Sequence, residues 1–184
     1  MHASGEARVG RSDDAATEPM RIRPLTPGDA SFLRHVLYHA IHVPPEHEAP
    51  PPAIVEEPEL ARYVADWMRR PGDLGFAAEQ GGRRIGAAWL RRWSSDDHGF
   101  GFVDEATPEL SMALLPGHRG RGVGTRLLRH LVAAAEGRYA AVSLSVSAAN
   151  PARRLYQRAG FVAIGEPEGG SIRMIKRLVP RDGM

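Results

Sequence analysis

The chain contains no cysteine, which excludes a disulfide framework, a zinc-thiolate site and a cysteine nucleophile. Lysine is almost missing too: Lys176 stands alone, and the other basic residues are arginines. The 24 basic and 22 acidic residues nearly cancel, to a formal charge of +2. With acids interleaved among scattered arginines, no nucleic-acid partner is expected. Aromatic residues make up only 7%. No apolar run approaches the roughly 20 residues that cross a bilayer, so no membrane contact is expected. The start of the chain also lacks the apolar core of a secretory signal, which makes the cytoplasm the expected location.

What is present suits one soluble domain, with 42% hydrophobic and 25% charged residues in a chain of 184. Residues 1–19 mix small, charged and turn-forming residues without periodicity and read as a disordered leader, leaving 20–184 as a single domain. An apolar/basic alternation from Met20 to Pro24 predicts a first strand. Thr26 and Pro27 then open a helix with Phe32, Leu33, Val36, Leu37 and Ile41 on one face. The stretch 43–58 holds six prolines and is expected to be irregular. Leu60, Tyr63, Val64, Trp67 and Met68 recur at helical spacing, predicting a second helix that stops at Pro71 and Gly72.

Strands are expected at 74–79 and 84–89, around a Gly81-Gly82 turn, and at 109–115, ending at Pro116 and Gly117. A long helix follows with Val123, Leu127, Leu128, Leu131, Val132 and Ala135 on one face. Val142, Leu144 and Val146 alternate with Ser143, Ser145 and Ser147 in a further strand. Asn150 and Pro151 start a short helix, and strands at 161–165 and 172–178 complete the domain.

The centre of the sequence is a glycine-rich turn between strand and helix. Gly117, Gly120, Gly122 and Gly124 set bare backbone amides at a helix N-terminus, where the helix dipole favours an anion such as a phosphate. The spacing does not fit the dinucleotide pattern, because position 125 is Thr, and no Gly-Lys-Ser/Thr follows for a P-loop.

Arg119-x-x-Gly122-x-Gly124 resembles the Arg/Gln-x-x-Gly-x-Gly/Ala signature of the GNAT acyltransferases. Downstream, Asn150-Pro151-Ala152-Arg153-Arg154-Leu155-Tyr156-Gln157-Arg158-Ala159-Gly160-Phe161 is similar to the same family's N-x-x-A-x-x-L-Y-x-x-x-G-F pattern. The resemblance is sharp from Glu109 to Phe161 and extends by element order from Met20 to Leu178. It implies an α/β fold with a mixed, mostly antiparallel central sheet of six to seven strands and about four flanking helices. The implied activity is transfer of an acetyl or other short acyl group from acetyl-CoA to a primary amine, small-molecule or peptide. No metal is implied, and a homodimer is common in the family. An acyl-CoA-binding sensor with the same fold is the alternative.

The same resemblance implies roles for single residues. Arg119, Gly120, Arg121, Gly122, Val123, Gly124 and Thr125 would hold the pyrophosphate. Backbone groups at Leu114 and Leu115 would pair with the pantetheine arm, and Asn150 and Arg153 would add contacts, although Asn150 would also serve as a helix cap. Tyr156 would stand near the thioester sulfur, where a phenol of pKa about 10 would protonate a thiolate nearer 8.5. Glu109, partly buried, would serve as general base with a pKa raised toward neutrality, with Asp104, Glu105 or a water chain as the alternatives.

Asp96, Asp97, Asp104, Glu105 and Glu109 cluster near this centre and would favour a cationic acceptor. His35, His39 and His42 share a helical spacing but lack the carboxylate of a metal motif, and read as a wall of the acceptor pocket. Trp89 and Trp93 read as core or pocket wall.

Overall fold

The computed structural model describes residues 18–179, so residues 1–17 of the expected leader lie outside the described residues. Seven strands form one sheet: β1 (Arg21–Pro24), β2 (Leu74–Gln80), β3 (Arg83–Arg91), β4 (Glu109–Leu114), β5 (Ala141–Ser147), β6 (Val162–Glu168) and β7 (Ser171–Arg177), in the order β1-β2-β3-β4-β5-β7-β6. All neighbours are antiparallel except β4 and β5, which run parallel and pair only at Glu109 and Ser143. Beyond that point the two strands diverge. Four α-helices accompany the sheet: α1 (Ala30–Leu37), α2 (Pro58–Ala61), α3 (Val123–Ala135) and α4 (Ala152–Arg158).

Both faces of the sheet are covered, as the apolar runs of its central strands require. On one face Ala78, Ala88, Leu90, Leu110, Val142, Leu144 and Met174 pack under Val123, Leu127, Leu128 and Leu131 of α3, with Tyr156 and Phe161 beside them. On the other, Ala77, Ala87, Trp89 and Ala113 meet Leu33, Val36 and Leu37 of α1 together with Val55, Tyr63, Val64, Trp67 and Trp93. Each leucine of α3 in this layer contributes roughly 2 kcal/mol by leaving water. Asp29 ties the first strands together: it accepts from Arg23 at 2.8 and 2.9 Å and from Arg84 at 2.9 Å, joining β1 to β3.

The second helix departs from the sequence expectation. It is a single turn, α2, followed by irregular turns with positive φ at Asp66 and Met68. The apolar stripe is real, since Tyr63, Val64 and Trp67 are buried, but its backbone carbonyls serve other donors. Arg91 Nη1 donates to Arg62 O and Ala65 O at 2.6 Å each, and Trp89 Nε1 donates to Tyr63 O at 3.0 Å. A regular helix would spend those carbonyls on its own N–H groups. Arg91 also pairs with Asp73 at 2.8 Å, both side chains 1% exposed.

Two smaller differences sit nearby. The first helix passes at Tyr38 into a 3-10 turn ending at Ala40, which leaves Ile41 extended, and the proline-rich stretch contains a 3-10 turn over Pro52–Glu56.

Candidate active site

The divergence of β4 from β5 opens a strand edge. Leu115 N–H donates to Ile85 O at 2.9 Å, which makes 87/113, 89/111 and 91/109 the hydrogen-bonded pairs of β3 and β4. The peptide groups of Leu110, Met112 and Leu114 therefore point the other way, toward β5. Leu110 N–H belongs to the single bridge between Glu109 and Ser143, and past it no β5 residue pairs with Met112 or Leu114. Leu114 thus turns its peptide group toward the open edge. Leu115 does not: its N–H is on Ile85, and its carbonyl accepts from His118 N–H at 3.2 Å. Met112, not singled out from the sequence, takes its place at the open edge.

At the end of that edge the chain turns into α3. Gly120 and Gly122 have φ of +72° and +79°, a conformation that a side chain would strain, and a Cβ at either would meet nothing within 4 Å. The space outside the turn is therefore open to a ligand approaching the backbone. Among the described residues, the amides of 119–125 donate to no other group. Val123 and Gly124 are buried; Arg121 and Thr125 are exposed. This set of N–H groups at the positive end of a 13-residue helix fits a pyrophosphate. Arg119 turns its guanidinium aside, donating to His39 O at 2.9 Å and so linking the turn to the end of the first helix.

α4 presents Tyr156 beside this edge. The ring packs against Phe161 at 5.9 Å, and burial pushes the phenol up to about 12. Its hydroxyl makes no hydrogen bond to a described residue, and the side chain is buried. Asn150 Oδ1 accepts from Ala152 N–H at 2.9 Å, the capping use, which leaves its NH2 group available. Arg153 is half-buried on the same short helix.

Glu109 lies deeper than expected, 3% exposed rather than partly buried. Oε1 accepts from Tyr63 OH at 2.8 Å and Gly101 N–H at 2.9 Å, and Oε2 accepts from Trp93 Nε1 at 2.7 Å. Burial pushes its pKa up to about 7 against these three donors. The Tyr63 hydroxyl itself accepts from Phe100 N–H at 2.7 Å, and burial raises its phenol well above the ordinary value.

The loop over the carboxylate admits no side chains. A Cβ at Gly101 would sit 2.7 Å from Glu109 Oε1, and one at Gly99 would clash with both Tyr63 OH and Glu109 Oε2. Tyr63 reads as plain core in the sequence, and no linear signal ties it to Glu109. The spaced glycines of Gly99-Phe100-Gly101 are the one visible sign of the cover.

The remaining acids are not a free cluster. Asp97 pairs with Arg62 and Arg70 at 3.2 Å each. Glu105 accepts from Ser95 N–H, which lowers its pKa, and Asp104 accepts from Ala106 and Thr107 N–H. The pull on a cationic amine expected from this segment is largely spent within the chain. Trp89 is core and Trp93 is the wall of the Glu109 site. His35 and His39 meet edge to face at 5.6 Å, while His42 lies past the helical segment. Burial, then His35 and Arg119, lower the His39 pKa. Among the described residues no three His, Asp or Glu side chains are grouped to hold a metal ion.

Fold and site together define an α/β domain in which a helix start with bare backbone amides stands beside an open strand edge. The sequence profile of the acetyltransferase (GNAT) family matches residues 39–161, and the chain belongs to that family.

Solved structures agree in fold. The GNAT domain of PAT from S. lividans is 25% identical, with 86% of this chain and 90% of that one covered and a TM-score of 0.63. The yncA protein of Salmonella typhimurium, solved with its cofactor acetyl-CoA, is 22% identical over 90% and 98% of the chains, with a TM-score of 0.61. The paia N-acetyltransferase of Thermoplasma acidophilum, in complex with coenzyme A, is 18% identical over 86% and 99%, with a TM-score of 0.63. Comparison with curated proteins gives no match.

Proposed function

We propose that the protein is an acetyl-CoA-dependent N-acetyltransferase acting on a primary amine. The observation that carries this reading is the row of unpartnered amides from residue 119 to 125, at the end of a strand edge that β5 leaves open. Acetyl-CoA bound there supplies an activated thioester. The amides of the turn hold its pyrophosphate, with Arg121 adding countercharge. The backbone of Met112 and Leu114 takes the pantetheine arm as an edge strand takes an added peptide. The Asn150 NH2 group and Arg153 add contacts to the same ligand, as the family pattern implies.

Tyr156 donates its hydroxyl to the departing sulfur. A phenol pushed up to about 12 stays protonated at working pH. Full transfer to a thiolate near 8.5 is uphill by several units. Its contribution is a hydrogen bond that strengthens as negative charge collects on sulfur. Glu109 receives the amine proton through the Tyr63 hydroxyl, since its own oxygens are enclosed. That enclosure also favours the second reading, an acyl-CoA-binding module without turnover.

Calorimetric titration with acetyl-CoA, followed in the same preparation by thiol release across an amine panel, tests both. Binding with release is expected. Binding without release selects the module, and no binding overturns both readings.

A further inference from the structure

Two sealed polar atoms without partners stand close together on the sheet. Ser143 Oγ on β5 and Arg173 Nε on β7 are shut off from solvent and find no hydrogen bond among the described residues. Ser145 lies opposite Arg173, and Ser143 lies opposite Ile175, so Ser143 and Arg173 are diagonal neighbours. Val142, Leu144, Val146, Ile172 and Met174 pack under α3. The alternate residues Ser143, Ser145, Ser147 and Arg173 therefore face the opposite side, the side on which Glu109 meets Tyr63 and Trp93.

Arg173 borders the loop that covers Glu109. Its Nη1 donates to Phe102 O at 3.4 Å, a long bond, and a Cβ on Gly165 of β6 would lie 3.4 Å from its Nη2. The other inward arginines have acids: Arg23 and Arg84 share Asp29, and Arg91 has Asp73. Among the described residues no carboxylate pairs with Arg173. A half-buried guanidinium with no carboxylate beside it is costly unless an anion completes it. Ser145 and Ser147, both half-buried, offer hydroxyl donors beside it without neutralising the charge. Ser143 lies beneath the loop, because a Cβ on Gly101 would sit 2.7 Å from the adjoining Leu144 backbone.

We infer that Arg173, with the Ser145 and Ser147 hydroxyls, binds a carboxylate carried by the acyl acceptor, so that the amine acylated here is of the amino-acid type. The inference rests on the acetyltransferase reading and narrows its substrate class. The planar guanidinium matches a carboxylate in shape as well as charge, which an ammonium would not.

The test compares matched amines in the thiol-release assay with acetyl-CoA: phenylalanine with phenethylamine, methionine with 3-(methylthio)propylamine, lysine with cadaverine. Wild type, Arg173→Gln and Arg173→Lys are each assayed, with acetyl-CoA calorimetry and a thermal melt on every protein. Wild type is expected to favour the carboxylate-bearing member of a pair by about tenfold to a hundredfold in kcat/KM. Arg173→Gln is expected to lose that preference through a higher KM at unchanged acetyl-CoA affinity, and Arg173→Lys to keep part of it.

Equal use of both members by wild type, or preference for the amine without the acid, overturns the inference. So does an Arg173→Gln variant that loses both members equally along with its melting temperature, the behaviour of a mere tie to Phe102. Acetyl-CoA binding with no amino acid accepted removes the acceptor assignment alone, whereas failure of wild type to bind acetyl-CoA removes the acetyltransferase reading as well.

Discussion

The indole N–H of Trp93 donates to Glu109 Oε2 at 2.7 Å, with both residues buried. Even with that bond, desolvation wins and the carboxyl titrates near 7 rather than at its usual 4.5. A raised carboxyl pKa means that the folded state holds the proton where the unfolded chain has released it. The resulting stability is full below about pH 4.5 and is lost as pH rises to about 7, a change of roughly 3 kcal/mol from this group. Glu109→Gln is expected to flatten this slope. Urea unfolding at pH 5 and pH 8 on both proteins reads it, and equal slopes would mean that the carboxyl titrates normally.

Tyr156→Phe removes a hydroxyl that makes no hydrogen bond among the described residues. Stability is expected to stay within about 0.5 kcal/mol of wild type, while kcat falls by about 10- to 100-fold and acetyl-CoA affinity is unchanged. An unchanged kcat would show that the phenol is only core.

At Gly122, with φ at +79°, alanine meets no neighbour but must adopt a left-handed conformation. Gly122→Ala is expected to cost about 1–2 kcal/mol in stability and to weaken acetyl-CoA binding as the amides of the turn rotate. Calorimetry on this variant beside Gly117→Ala, which has a similar φ of +82° but lies before the amide row, separates the two effects.

The Arg91–Asp73 pair is closed to solvent, and Arg91 also holds two carbonyls of the 62–65 segment. Arg91→Leu leaves a buried carboxylate with no countercharge and only the Met68 N–H as donor, and takes the guanidinium from two backbone acceptors, an expected loss of about 3–5 kcal/mol in denaturant unfolding. A loss under 1 kcal/mol would show that water replaces the guanidinium.

Most of the sheet was legible because its strands alternate or run apolar between clear turn residues, as at Val142 to Val146 and at the Gly81-Gly82 turn. The glycine-rich turn before α3 was legible as a turn because its requirement is local: positive φ must come from adjacent residues. The second helix misled because its side-chain period is genuine, while the decision against a helix was made by Arg91 and Trp89, some 25 residues away in sequence.

The Glu109 site was half legible for a similar reason. The glutamate stands at a recognisable strand start, but its depth is set by Tyr63, Trp93 and Gly101, which reach it from three separate segments. Leu114 and Leu115 are neighbours in sequence, yet one residue along a strand turns the peptide to the opposite edge, toward β3 for Leu115.

The single parallel pairing of Glu109 with Ser143 also divides the molecule's architecture. Strands β1 to β4 form one antiparallel block and β5 to β7 another, and every other strand pairing lies within a block. A cut at Gly137, between α3 and β5, would sever the chain without crossing any strand pairing inside either block. The two fragments meet where β4 touches β5 and through the apolar layer they share on the α3 side of the sheet, so the sheet is suited to reassembly from halves, with the proposed cofactor cleft forming only when both are present.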